Sequence, residues 1–171
     1  MKVAKINQEI TVSDQILASD IPEIAQQGFK TIFCHRPDGE GPDQPNFKEI
    51  DKAAQALGLK VKYLPVTMGK ISEGDIEQFS SSYDQADKPL FSYCRSGMRA
   101  ITLWSLKEAE NKTLPELLSI GKNAGFDMSG LTLRLASGKQ SSENTKKHQI
   151  VIIGGGAAGI SVASSLLKRD S

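Results

Sequence analysis

A thiol and a guanidinium close a short segment, Tyr93-Cys94-Arg95-Ser96-Gly97-Met98-Arg99. A cysteine thiolate is a strong nucleophile, and a planar guanidinium can hold an oxyanion through two parallel hydrogen bonds. The run Leu90-Phe91-Ser92-Tyr93 before Cys94 reads as a buried strand, and the stretch from Met98 onward reads as a helix. A loop between strand and helix aims successive backbone N–H groups at one point and adds the positive end of the helix dipole, which stabilises a thiolate. Gly97 permits a turn that a side chain resists. Cys94 is therefore the candidate nucleophile and Arg99 the candidate anion holder. Arg95, Ser96, Gly97 and Met98 form the loop expected to cradle the substrate anion. A blander assignment makes Cys94 a small buried hydrophobe and Arg99 a surface cation. Cys, Gly and Arg together between strand and helix favour chemistry.

A second run, Thr31-Ile32-Phe33-Cys34, leads into His35-Arg36-Pro37-Asp38-Gly39-Glu40. Cys34 could share a sheet edge with Cys94 and resolve its oxidised or persulfidated form as a disulfide. A buried strand residue is the plainer reading. Arg36 either lends charge to a substrate mouth or pairs with a surface carboxylate. Asp38 is the candidate general acid if its turn lies over the Cys94 loop, and otherwise half of an Asp-Gly turn. Trp104, in the helix after the loop, is assigned to core packing.

Positioning these residues requires a sheet. Short apolar runs predict strands at 3–6, 31–34, 61–66 and 90–93, and amphipathic stretches predict helices at 21–27, 47–57, 72–82, 98–110 and 114–124. A further apolar stretch, 128–135, is expected to close the domain as a short helix. Pro22 in a first turn after Asp20, Gly28 and Gly58 at helix ends, and Ser72 with Asp75 as a capping box mark several boundaries. Alternation of strands and helices makes the fold class α/β, with a central, mostly parallel sheet flanked by helices.

Composition narrows the function classes. Hydrophobic residues make up 39% and charged residues 24% of 171 residues, which fits a globular chain. Twenty-one basic residues against 20 acidic ones give a formal charge of +1, so no global field attracts nucleic acid or an anionic membrane. No run has the length of a membrane span and the N-terminus lacks a signal-peptide core. Two cysteines without CxxC spacing suit neither a disulfide scaffold nor zinc. The expectation is a cytoplasmic protein with reduced cysteines, no metal, and no cofactor for its catalytic domain.

Tyr93-Cys94-Arg95-Ser96-Gly97-Met98-Arg99-Ala100, with the FCHRPDGEGPDQPNF and VKYLPV segments upstream, resembles the beta-lactamase hydrolase-like, phosphatase-like domain family of bacteria. The resemblance covers about the first 135 residues. It implies a protein-tyrosine/dual-specificity-phosphatase-like fold with the thiolate at the C-terminal edge of the sheet, and either phosphatase or sulfur-transferase activity. Phosphatases of this broad type carry five residues between Cys and Arg; Cys94 and Arg99 have four between them, as in rhodanese-like sulfur transferases. A persulfide is smaller than a phosphoryl group, and its transfer needs no strong general acid. The Pro65-Val66-Thr67-Met68-Gly69-Lys70 segment carries no carboxylate where similar phosphatases often have one. Sulfane-sulfur transfer through a Cys94 persulfide is thus the first expectation, and a phosphocysteine-forming phosphatase the alternative. A non-catalytic anion-binding module is the third class. The expected substrate is a small anion or a sulfane-sulfur compound.

Residues 1–136 make up the expected catalytic domain and 137–148, reading SGKQSSENTKKH from Ser137, a linker. Residues 149–171 place Gly154, Gly156 and Gly159 between an apolar strand and a helix. This GxGxxG pattern resembles the start of an FAD/NAD(P)-dependent oxidoreductase. The sequence ends before a second strand and its ribose-binding acid, so the segment is expected to be a truncated stub unable to hold a dinucleotide alone. A flavoprotein oxidoreductase domain is the partner that this stub suggests.

Overall fold

A computed structural model of the protein describes residues 1–135. Five strands form one sheet: β1 (Val3–Lys5), β2 (Ile10–Ser13), β3 (Thr31–Cys34), β4 (Lys60–Tyr63) and β5 (Leu90–Tyr93), in the order β1-β2-β5-β3-β4. Only the edge strand β1 runs antiparallel to its neighbour; β2, β5, β3 and β4 are mutually parallel. Five helices accompany them: α1 (Ile21–Gln26), α2 (Phe47–Gln55), α3 (Glu73–Gln85), α4 (Met98–Glu108) and α5 (Leu114–Asn123). The mostly parallel α/β sheet with flanking helices is as expected.

Alternation along the strands builds two cores. Ile32, Cys34, Phe91 and Tyr93 face α1 and α2, where Ile21, Ile24, Ile50 and Ala54 meet them. Phe33, Leu90, Ile10 and Val12 face the opposite layer, with Phe79 and Tyr83 of α3, Trp104 of α4 and Leu117 of α5. Strands covered on both faces read as near-continuous apolar runs, and β3 and β5 do so. Residues Arg99 through Leu106 of α4 are all buried, which makes α4 the central helix of its layer.

Several element ends differ from the sequence expectation by one to three residues, and one strand is additional. The strand β2, paired with β5 along its whole length, was not anticipated. Its hairpin with β1 turns at Asn7, whose Oδ1 accepts the N–H groups of Glu9 (2.8 Å) and Ile10 (2.9 Å), without the Asn-Gly or Asp-Gly signal of a tight turn. The strand β4 ends at Tyr63 rather than at 66. Beyond it the Leu64 N–H donates to Cys34 O (2.8 Å) and the Val66 N–H to His35 O (3.2 Å), so two residues on one side advance against one on the other and the regular parallel register is lost. The last apolar stretch forms a 3₁₀ turn (Ser129–Leu131) that leads into helix at 132–135. The expected linker at 137–148 and the stub at 149–171 lie outside the described residues.

The parallel register aligns Ser13, Tyr93, Cys34 and Tyr63 across the sheet. The chain leaves β2, β5, β3 and β4 along this single C-terminal edge, where open α/β sheets bind their ligands.

Candidate active site

Cys94 follows the last residue of β5 and has no exposed surface. Its N–H donates to Ser13 O at 3.3 Å, and Asp14 forms an antiparallel bridge with Ser96, so the segment after β2 clasps the loop. Arg95 and Ser96 are exposed, Met98 is half-buried and Gly97 is buried. Gly97 caps α4 with φ +86° and ψ −17°, the left-handed region. A Cβ there would lie 2.8 Å from Phe126 Cζ and 3.3 Å from Ser13 O. Glycine is needed at this position for both its conformation and its space.

Arg99 occupies the second position of α4 and is 92% buried, with 8% exposure. Its Nη2 donates to Glu40 Oε1, while its Nη1 is buried without a hydrogen-bond partner. The other oxygen of Glu40 accepts from Arg36 Nε at 3.0 Å, and Arg36 Nη1 donates to Gln15 Oε1 at 2.9 Å. Partial burial pushes the Glu40 carboxyl pKa up, but hydrogen bonds from Arg99 and Arg36 outweigh it and hold the pKa below the usual range. Of the two expectations for Arg36, pairing with a carboxylate is the one observed.

Asp38, the sequence-based candidate for general acid, is held in its turn by two hydrogen bonds. Its N–H donates to Tyr63 Oη at 2.8 Å, and its Oδ1 accepts the N–H of Phe47, the first residue of α2, also at 2.8 Å. The carboxylate caps a helix, a structural task that the Asp-Gly turn reading allowed. Glu40, two residues on, is the acid that reaches Arg99. Sequence reasoning passed over it, although an acid four positions after Arg36 was a visible signal.

Burial pushes the Cys34 thiol pKa up to about 11, against a lowering hydrogen bond from Tyr93. The thiol donates to Arg36 O at 3.5 Å. Cys34 is thus a protonated, buried strand residue and a poor resolving thiol at neutral pH. His35 is fully buried: Nδ1 faces Leu64 O at 3.0 Å and Nε2 faces Ser92 Oγ at 2.8 Å. A carbonyl only accepts, so we assign the proton to Nδ1 and the Ser92 hydroxyl as donor to Nε2. Burial lowers the His35 pKa to about 4, and the ring is neutral. Trp104 is in the core, as expected. Among the described residues no helix is long and apolar enough to cross a membrane. Gly154, Gly156 and Gly159 lie outside the described residues.

Cys94 and Arg99 therefore flank one short loop, pinned from β2 and from Phe126, at the C-terminal edge of the parallel strands. The family model "Beta-lactamase hydrolase-like protein, phosphatase-like domain" matches residues 2–111. The chain belongs to this family. A beta-lactamase hydrolase-like protein of Agrobacterium fabrum is 37% identical over 134 residues, 77% of this chain and 31% of the relative. One from Xylella fastidiosa (strain Temecula1) is 32% identical over 130 residues, 75% of this chain and 30% of the relative. The chain thus spans under a third of the length of these relatives. Among solved structures, a candidate phosphatase from Neisseria meningitidis superposes with a TM-score of 0.75 at 33% identity, covering 81% of this chain and 99% of the other. The catalytic core of the PP-IP phosphatase Siw14 from S. cerevisiae shares the fold at 15% identity, with a TM-score of 0.61 over 88% and 97% of the two chains. The phosphatase-like fold expected from the Cys94 segment is the one present.

Proposed function

We propose that this domain is a cysteine-dependent phosphatase of the protein-tyrosine/dual-specificity type. The observation that carries the reading is the buried Arg99 guanidinium, which follows the Cys94 loop and keeps one unpartnered Nη1 for an oxyanion. In this reading the Cys94 thiolate attacks phosphorus, the bond from phosphorus to the leaving oxygen breaks, and the leaving oxygen takes its proton from water. Arg99 and the N–H groups of the 95–98 loop hold the non-bridging oxygens. Water then hydrolyses the phosphocysteine, releasing inorganic phosphate and regenerating the thiolate. The relatives and structural neighbours support this reading better than sulfur transfer, the first expectation from the sequence.

The four-residue spacing between Cys94 and Arg99 keeps sulfane-sulfur transfer as the second reading. Cys94 would then attack the outer sulfur of a thiosulfate, sulfite would leave with the S–S electron pair, and cyanide would take the sulfur from the persulfide as thiocyanate. Incubation with an aryl phosphate, and separately with thiosulfate plus cyanide, distinguishes the two. Phosphate release that disappears in Cys94→Ser supports the phosphatase reading. Thiocyanate without phosphate overturns it in favour of sulfur transfer, and binding of inorganic phosphate without turnover of either substrate would mark an anion-binding module.

A further inference from the structure

We infer that Glu40 is the positioning residue of the site: with Arg36 and Gln15 it forms a chain of contacts that fixes the Arg99 guanidinium so that one nitrogen remains for the substrate anion. The inference rests on the anion-holding role proposed for Arg99. The chain runs from β2 to α4. Gln15 Oε1 accepts from Arg36 Nη1 (2.9 Å), Arg36 Nε donates to Glu40 Oε2 (3.0 Å), and Glu40 Oε1 accepts from Arg99 Nη2. Both arginines are buried, with 8% of each residue exposed, so an untethered Arg99 would have little solvent to turn toward. The carboxylate uses each oxygen on a different guanidinium, and only a carboxylate offers two acceptors at that separation. Glutamine could satisfy one of the two and would turn an NH₂ donor toward the other.

Glu40 could instead occupy the anion seat as a substrate mimic. The partner pattern argues otherwise. A plug would saturate the guanidinium face that takes the substrate, yet Arg99 Nη1 is buried and unpartnered while only Nη2 is engaged. Gly41 lies beside the Arg36 end of the chain. A Cβ there would lie 2.9 Å from Arg36 Nη2, so the residue after Glu40 leaves room for the Arg36 end of the chain.

The test uses the whole chain and does not require turnover. Iodoacetate is an anion that Arg99 attracts, whereas iodoacetamide is a neutral reagent of similar size. Their relative rates of alkylation at Cys94, mapped by mass spectrometry, therefore report how well Arg99 is held over the sulfur. In Glu40→Gln the iodoacetate-to-iodoacetamide ratio should fall about tenfold, the effect of losing one charged positioning contact, even though removal of a negative charge alone would raise it. Gly41→Ala, which displaces the Arg36 end, should lower the ratio by a smaller factor, and Glu40→Asp should retain part of it. An unchanged ratio in Glu40→Gln would reduce Glu40 to a surface ion pair, and a higher ratio would make it a plug; either overturns the inference. If the chain releases no phosphate and the ratio still falls, the positioning role stands and only the phosphatase reading is lost. Where phosphate is released, Glu40→Gln should lower kcat more than it raises KM.

Discussion

Gly97 shows how much can rest on one missing side chain. Its left-handed φ costs a non-glycine residue roughly 1–2 kcal/mol, and an added methyl would also press on the Phe126 ring and on Ser13 O. Gly97→Ala is therefore expected to lower unfolding free energy by about 2 kcal/mol or more in urea titration, and to reduce activity further by displacing the N–H groups that follow Cys94. A substitution that left both unchanged would show that the loop tolerates another path. At Cys94 and Arg99 the sequence alone was informative, because both side chains belong to one local segment. At Asp38 and Glu40 it was not. Both acids share one turn, and only the folded path reveals that Asp38 faces the start of α2 while Glu40 faces Arg99.

Beneath the loop, His35 ties three elements together: it follows β3, bonds the chain leaving β4 at Leu64 and meets Ser92 on β5. This coupling has a pH signature. The folded pKa, about 4, lies below the ordinary value of 6.5, so the unfolded state binds the proton more readily. Stability from keeping His35 neutral is complete above pH 6.5 and is lost as pH falls toward 4. Between pH 7.5 and 4.5 the loss should be on the order of 2–3 kcal/mol. Chemical denaturation at the two pH values should show this difference, and His35→Gln should remove that part of it while the carboxylate contribution persists. A wild-type slope equal to that of His35→Gln would disprove the assignment. Element positions were legible where local pattern dominates. The strands β3 and β5 fall where their apolar runs predict, whereas β2 went unseen because its entry turn relies on the Asn7 side chain rather than on glycine.

Taken as a whole, the molecule assembles its site from parts far apart in sequence. Lys2 exemplifies this: its N–H donates to Asp14 Oδ1 (2.8 Å), its carbonyl accepts from Asp14 N–H (3.2 Å), and Asp14 in turn bridges Ser96 beside Cys94. Removal of residues 1–6 would strip β1 from β2 and release Asp14. We expect a loss of about 2 kcal/mol, from several exposed hydrogen bonds at about 0.5–1.5 kcal/mol each, and, under the proposed phosphatase reading, slower phosphate release. A calorimetric melting profile and initial rates would check this, and unaltered values would show that β1 is dispensable. Such long-range contacts carry no local pattern, which is why the clasp on the loop could not be read from the sequence.

The packing of Phe126 against Gly97 has a consequence for the order in which the protein acquires its chemistry. Synthesis proceeds from the N-terminus, and Cys94 and Arg99 leave the ribosome well before the residue that buttresses their turn. Until Phe126 has emerged, a nascent chain holds the nucleophile, the guanidinium and the glutamate tether without the wall that fixes the loop. Under the proposed phosphatase reading, nascent chains stalled before that point should be inert toward aryl phosphates, and activity should arise abruptly once the loop after α5 is free to dock.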